Sequence, residues 1–454
     1  MNKILENNKY LKSNHKHLNN ASNLYGKNIR NINADYVFCF LKNFDISSAI
    51  WVLYMVYKGL PLWQVGIAEG VFHLCSFLFE VPSGAIADLF GRKKTIIAGR
   101  ILSILSAVMN LFATNILLFS MSFAVSALSY NLNSGSEEAL VYDSLKEIDQ
   151  EKDYIKVNSR LNMVIEVSQG LATFVGGILA EHSYVLCYLS VILISAASLI
   201  PAFLFTEPSI SNNLENEPLE NSHNTTANFE SNYFNNALND PNNTIINSDK
   251  NNCDTIIEIF KNSIIMIHFK NSIDILKCNK ELLKVLIYFP VVETFNTVVY
   301  FYGQEYFSIL GFNKIQISII MLFSGILCCL GAYSSEKVIS IFRSRAKYVA
   351  SLLMAVSIIL LSMDNIVLSV MFFGIMNFSN SILYPIQSVS LNELIPSNQR
   401  ATIISISSMI FSLTMIIFFP LCGLMADIFN LHVTFMILGV IQIILIISLA
   451  KKIN

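Results

Sequence analysis

The chain has 454 residues, of which 54% are hydrophobic and only 14% charged, whereas a soluble domain carries roughly a quarter charged residues to cover its surface. A larger core cannot hide that deficit, since soluble cores stop growing near roughly 300 residues, so lipid must cover the missing polar surface and a soluble enzyme or binding module is excluded. The net charge of −2 gives no global pull toward nucleic acid or acidic partners.

The first 34 residues are polar and rich in Asn and Lys. They read as a disordered tail with no cleavable signal, the first apolar helix serving as its own insertion signal. A bilayer core needs about 20 apolar residues per helix. At that length, spans fall near 36–57, 64–87, 95–112, 116–142, 160–181 and 184–205. After a long interruption they resume near 282–309, 315–337, 348–363, 365–388, 402–426 and 433–450. None shows the ~10-residue alternation of an outer-membrane barrel, so the predicted fold is all-α, twelve transmembrane helices in two six-helix bundles over 35–206 and 281–451.

Between the bundles, 207–280 is a linker, an Asn/Ser/acid-rich disordered stretch followed by an amphipathic surface helix over 256–276. Two glycosylation-type triplets, at Asn224 and Asn242, read as chance in an Asn-rich tract. Lys and Arg collect in one set of loops: Lys3 to Arg30, Arg92-Lys93-Lys94, Lys146 to Arg160, Lys337 to Lys347, Arg400 and Lys451-Lys452. The other set holds only Lys58 and Lys314. The positive-inside rule therefore predicts both termini in the cytoplasm of a plasma-membrane protein.

The halves resemble each other. Gly84-Ala85 matches Gly331-Ala332, Ser144-Leu145-Lys146-Glu147 matches Ser390-Leu391-Asn392-Glu393, and Gly177…Ala180-Glu181 matches Gly423…Ala426-Asp427, at offsets of 247, 246 and 246. A near-constant offset indicates a duplicated six-helix unit with a binding site at the interface of the halves. The eight cysteines form no CxxC or Cys/His spacing, so neither disulfide, metal nor cofactor is expected.

The most specific motif is Gly84-Ala-Ile-Ala-Asp88-Leu-Phe-Gly91-Arg92-Lys93-Lys94, between the second and third spans. It resembles the signature loop of the major facilitator superfamily, and the likeness extends to Glu80-Val-Pro82-Ser83-Gly84, Ser134-Gly135-Ser136-Glu137-Glu138-Ala139 and Pro396-x-x-x-Arg400-Ala401-Thr402. The resemblance implies a gate latch of Gly84, Asp88, Gly91, Arg92, Asp143 and Arg400, with Asp143 partnering Arg92 and Asp88 facing helix eleven of the other half. Two features depart from the pattern. Asn131-Leu132-Asn133 stands where many members carry an arginine, and the antiporter motif of helix five is partial, with Gly170, Gly176 and Gly177 but no proline.

Intramembrane polar residues are costly and usually face a cavity or a partner. Glu293, Asn296, Tyr300 and Gln304 share one face of helix seven; Asn377, Asn380, Tyr384 and Gln387 share one face of helix ten. They are candidate substrate-cavity residues, with hydrogen bonding between helices as the alternative. Glu80, Glu137 and Glu293 are candidate proton-coupling carboxylates, and Glu137 and Glu138 cannot both face the cavity at about 100° per residue. His73, one turn from Glu69, reads as a packed histidine, Lys42 with Asp45 as a structural ion pair, and Arg100 as snorkelling to the inner surface. No GxxxxGK[ST] loop exists, so ATP is not the expected energy source.

Together these imply a monomeric, non-enzymatic secondary transporter, using protons to move a small amphiphile or drug outward. An importer or facilitator of a polar nutrient, or a non-transporting sensor with the same fold, are the alternatives.

Overall fold

The computed structural model describes residues 24–208, 280–363, 365–394 and 400–451, and every regular element among them is helical. The tail before 24, the linker over 209–279 and its expected amphipathic helix lie outside the described residues. Helices dominate because lipid offers no partner to an open N–H or C=O, so each crossing segment must satisfy its own backbone.

The first traverse is broken: α1 covers 24–43, residues 44–50 are coil and turn, and α2 is Trp51–Tyr57. Then follow α3 (Leu62–Phe90), α4 (Arg92–Phe112), α5 (Ile116–Lys146), α6 (Tyr154–His182), α7 (Tyr184–Ala197) and α8 (Leu199–Leu204). The second half holds α9 (Lys280–Ile309), α10 (Lys314–Phe342), α11 (Ala346–Leu361), α12 (Ile366–Leu394), α13 (Arg400–Phe429) and α14 (Leu431–Lys451). Among the described residues, ten spans are long and apolar enough to cross a bilayer, α7 and α8 together forming one. α11 is a shorter apolar helix and the first traverse is interrupted, so a count of twelve rests on reading those two as crossings.

The sequence places the polar tail up to 34, but the chain is already helical at 24, where the described residues start. Asn28 and Asn31 are buried there because each has a partner. Asn28 donates to Glu147 at 2.8 Å, and Asn31 bridges Ser144 and the Thr206 backbone. Satisfied amides bury at little cost.

Helix starts on one face are fixed by side-chain caps. Asn115 accepts from Leu118 N, Ser183 from Leu186 N, and Asn313 forms a capping box with Gln316. These caps and the turns near 59, 311 and 430 lie on what is here called the opposite face. The described chain ends, Gly91, Glu147 and Thr206 lie on the terminal face.

Within the first half α3, α4 and α5 pack together and α7 lies on α4; in the second, α10 and α11 flank α12, and α9 and α11 contact α14. The halves meet through α3 with α13, α6 with α10 and α2 with α9.

Candidate functional site

The closures between halves lie at the opposite face. Asp427, at the end of α13, accepts hydrogen bonds from Leu62 N at 3.1 Å and Trp63 N at 2.7 Å, at the start of α3. Glu181, at the end of α6, accepts from Lys314 N at 3.0 Å, at the start of α10. A carboxylate there meets unpaired N–H groups and the positive end of the helix dipole. Four residues before each acid, a glycine allows the approach: a Cβ on Gly423 would collide with Leu62 O, and one on Gly177 with Ser318. The duplicated Gly-x-x-x-acid pattern is thus one device used twice.

Behind these latches lies an aromatic roof. Trp51 contacts Phe301 and Phe419 of the other half, with ring centroids 5.4 and 6.1 Å apart. Tyr302 donates toward the Leu62 and Phe419 carbonyls at 3.2 and 3.0 Å.

At the terminal face α3 ends at Phe90. Among the described residues, and apart from its chain neighbours and its own helix backbone, no heavy atom lies within 4 Å of where a Gly84 Cβ would stand, and Leu89 and Phe90 are exposed. Gly91 turns the chain at φ +89°, a backbone region open to glycine at no steric cost. Arg92 Nη2 lies 3.1 Å from Asp143 Oδ2, the partner the family resemblance implies. Glu207, which sequence reasoning missed, accepts from Arg92 N at 2.6 Å and Lys93 N at 3.0 Å. The side chains of Asp88 and Arg400 lie outside the described residues.

On the wall between the halves, Tyr384 Oη donates to Glu293 Oε1 at 2.7 Å, joining α9 to α12. Tyr384 is 56% exposed within a membrane span. Tyr300 is stacked on Phe373, Asn380 is half-buried, and Gln387 reaches Ser407 at 3.4 Å.

Three predicted cavity residues have other occupations. Asn296 and Asn377 are buried and meet across α9 and α12 at 3.4 Å, the interhelical alternative. Gln304 is fully buried and binds Ser48 O at 3.0 Å and Val52 N at 3.3 Å. It serves backbone groups left open by the break in the first traverse.

Inside the first half, Lys42 bonds Glu137, not Asp45. The break at residue 44 ends the helical register that would have paired Lys42 with Asp45; Asp45 instead accepts from Ser47 N and Oγ. Glu137 is buried and Glu138 exposed, as adjacency on a helix requires. Arg100 does not snorkel. It is 5% exposed, and its Nε donates to Ser198 Oγ at 2.7 Å. Asn131 ties α5 to α3 through the Ser76 hydroxyl and carbonyl. His73 lies 3.5 Å from Glu69 and edge-on to Phe411 of the other half. Glu80 is half-buried on α3, two residues before Pro82.

Comparisons with known proteins bear on this arrangement. The family profile of the Major Facilitator Superfamily matches residues 36–373 and again 285–452. The uncharacterized MFS-type transporter YxaM of Bacillus subtilis (strain 168) is 36% identical over 93 residues, 20% of this chain. The matched stretch spans 23% of that relative's length. Among solved structures, the nucleoside transporter NupG superposes with a TM-score of 0.68 at 12% identity, covering 93% of this chain and 99% of that one. A D-xylose-proton symporter gives 0.65 at 14%, over 94% and 97%. An inward-facing, unoccupied bacterial homolog of the human lysosomal transporter Spinster gives 0.69 at 12%, over 93% and 96%. At these identities the likeness is one of fold.

Proposed function

The chain belongs to the major facilitator superfamily, and from that premise we propose that it is an alternating-access transporter that uses protons to drive a small amphiphile out of the cytoplasm. The carrying observation is the Glu293–Tyr384 contact: a carboxylate on a helix of the second half, which is latched to the first half at the opposite face. With the termini cytoplasmic, this is the inward-open stage. Glu293 exchanges its proton with whatever the cavity faces, and Glu80 and Glu137 are further coupling carboxylates. The side chains near that contact, Tyr300, Asn380 and Gln387, are aromatic and amide, a mixture that meets both the apolar and the polar part of an amphiphile.

When the terminal face closes, the Gly84-x-x-x-Asp88 motif takes the part that Gly177…Glu181 and Gly423…Asp427 take now, with Asp88 meeting the start of α13 near Arg400. Breaking one set of latches while forming the other makes the two faces mutually exclusive.

The test is flux into or out of liposomes under an imposed proton gradient, with cationic amphiphiles compared against sugars, amino acids and organic anions. Gradient-driven amphiphile flux that falls at least tenfold in Glu293→Gln and in Asp88→Asn is the expected result. Gradient-independent movement of a polar nutrient would replace this reading with that of a facilitator.

A further inference from the structure

The break in the first traverse opens a site that the wall residues do not include. Non-helical backbone at membrane depth is tolerated where it lines a cavity, and a cavity of about 170 Å³ lies against residues 44–50. It lies against the interior of the first half. Its lining combines two carboxylates, Asp45 and Glu69, with Trp51, Phe72, Phe123 and Tyr188. Asp45 is exposed although it stands mid-traverse, so solvent reaches it through this space.

A second lobe of about 110 Å³ shares Asp45, Ser47, Asn110, Ser126 and Tyr188 with the first, and adds Arg100 and Lys42. Lys42 is neutralised by Glu137. Arg100 is engaged by Ser198, and the carboxylates that line the first lobe are Asp45 and Glu69, the latter with His73 as its neighbour at 3.5 Å. The carboxylate lobe is also the aromatic one, and ring faces attract cations, most strongly when the cation is desolvated. Asn110 lines both lobes.

We propose that this cavity binds the protonated amine head of the transported molecule, with N–H groups directed to Asp45 and Glu69 and the attached carbon skeleton among the aromatic rings. Its volume is close to the ~150 Å³ of a cavity that takes up benzene, enough for an ammonium with a ring-sized body but not for a whole drug-sized molecule. The remainder of such a molecule extends into the space between the halves. The inference rests on the transporter reading for its consequence, but the binding is measurable without transport.

Trp51 is one of two tryptophans, and it lines the cavity, so it reports directly. The full chain carrying Trp63→Phe, purified in detergent, is titrated with benzylammonium, zwitterionic phenylalanine and benzoate, which share a ring and differ in charge. Benzylammonium is expected to change the Trp51 emission saturably, with affinity at least tenfold lower in Asp45→Asn and in Glu69→Gln, while benzoate and phenylalanine give no saturable change. Benzoate or phenylalanine binding as tightly as benzylammonium would overturn the proposal. So would no saturable response to benzylammonium, or an unchanged affinity in the Asp45→Asn/Glu69→Gln double variant. The three-probe comparison needs no carboxylate variant, so a misfolded variant does not obscure it. Intact binding with no proton-driven flux would sink the coupling reading and leave this one standing; flux without binding would do the reverse.

Discussion

Lys42 stands three residues before Asp45, and its ammonium nevertheless sits on Glu137, 95 positions away. The spacing rule that pairs i with i+3 presumes a continuous helix, and helix α1 stops at 43. The pair is largely withdrawn from solvent, the side chains being 21% and 9% exposed. Removing one member of a buried pair strands the other charge, at a cost of about 3–5 kcal/mol, whereas replacing both with apolar residues is often close to neutral. Lys42→Met should therefore lower the thermal midpoint in detergent by several degrees, and Lys42→Met/Glu137→Met should recover most of it. If Asp45 were the true partner, the second substitution would bring no recovery. The polar run Lys42-Asn43-Phe44-Asp45 inside an apolar segment was the signal of the break. It was legible as polarity, but its consequence for pairing depended on a contact made by a distant helix. Asn28, Asn31 and Glu207 were illegible for the same reason: their sequence neighbourhood is polar, and only the tertiary partner makes them structural.

The two acid latches belong to the scale of the element. Asp427 serves the start of α3 and Glu181 the start of α10, and a capping acceptor of this kind contributes on the order of 1 kcal/mol. In Asp427→Ala the amides near 62 and 63 should exchange hydrogen roughly fivefold faster, the factor that about 1 kcal/mol allows. If the halves move as bodies, the amides near 314 should quicken in the same variant, because both latches guard one closure. Acceleration confined to α3 would mean that the latches act locally. Apart from the first traverse, which starts earlier and is broken at 44–50, the helices were legible to within a turn or two, since hydropathy sets their middles. Their polar ends were not, because α5, α6 and α12 run past the apolar window into residues such as Lys146, Tyr154 and Leu394. The repeat was legible as a match of residues at a constant offset. That its third pair forms cross-half caps required the three-dimensional arrangement.

At the scale of the molecule, the two acid latches lie at one face, and the signature loop with its Arg92–Asp143 contact stands at the other. A rocking-halves account requires the two faces to change in opposite senses. Fold membership was already visible in the Gly84-to-Lys94 motif, and the apolar spacing carried the general architecture. The wall was half visible: Tyr384 and Glu293 meet, while Gln304, Asn296 and Asn377 serve the scaffold, because a polar stripe on a helix looks alike whether it faces a cavity or a neighbouring backbone.

The most direct test measures two distances in one preparation. Nitroxide labels at 117 and 366 span the opposite face, and labels at 94 and 341 span the terminal face, all at exposed positions. When the proton gradient or a transported amine is applied, the 94–341 distance should shorten as the 117–366 distance lengthens. Shortening or lengthening of both together, or change at one face with the other fixed, would contradict alternating access through mutually exclusive latches.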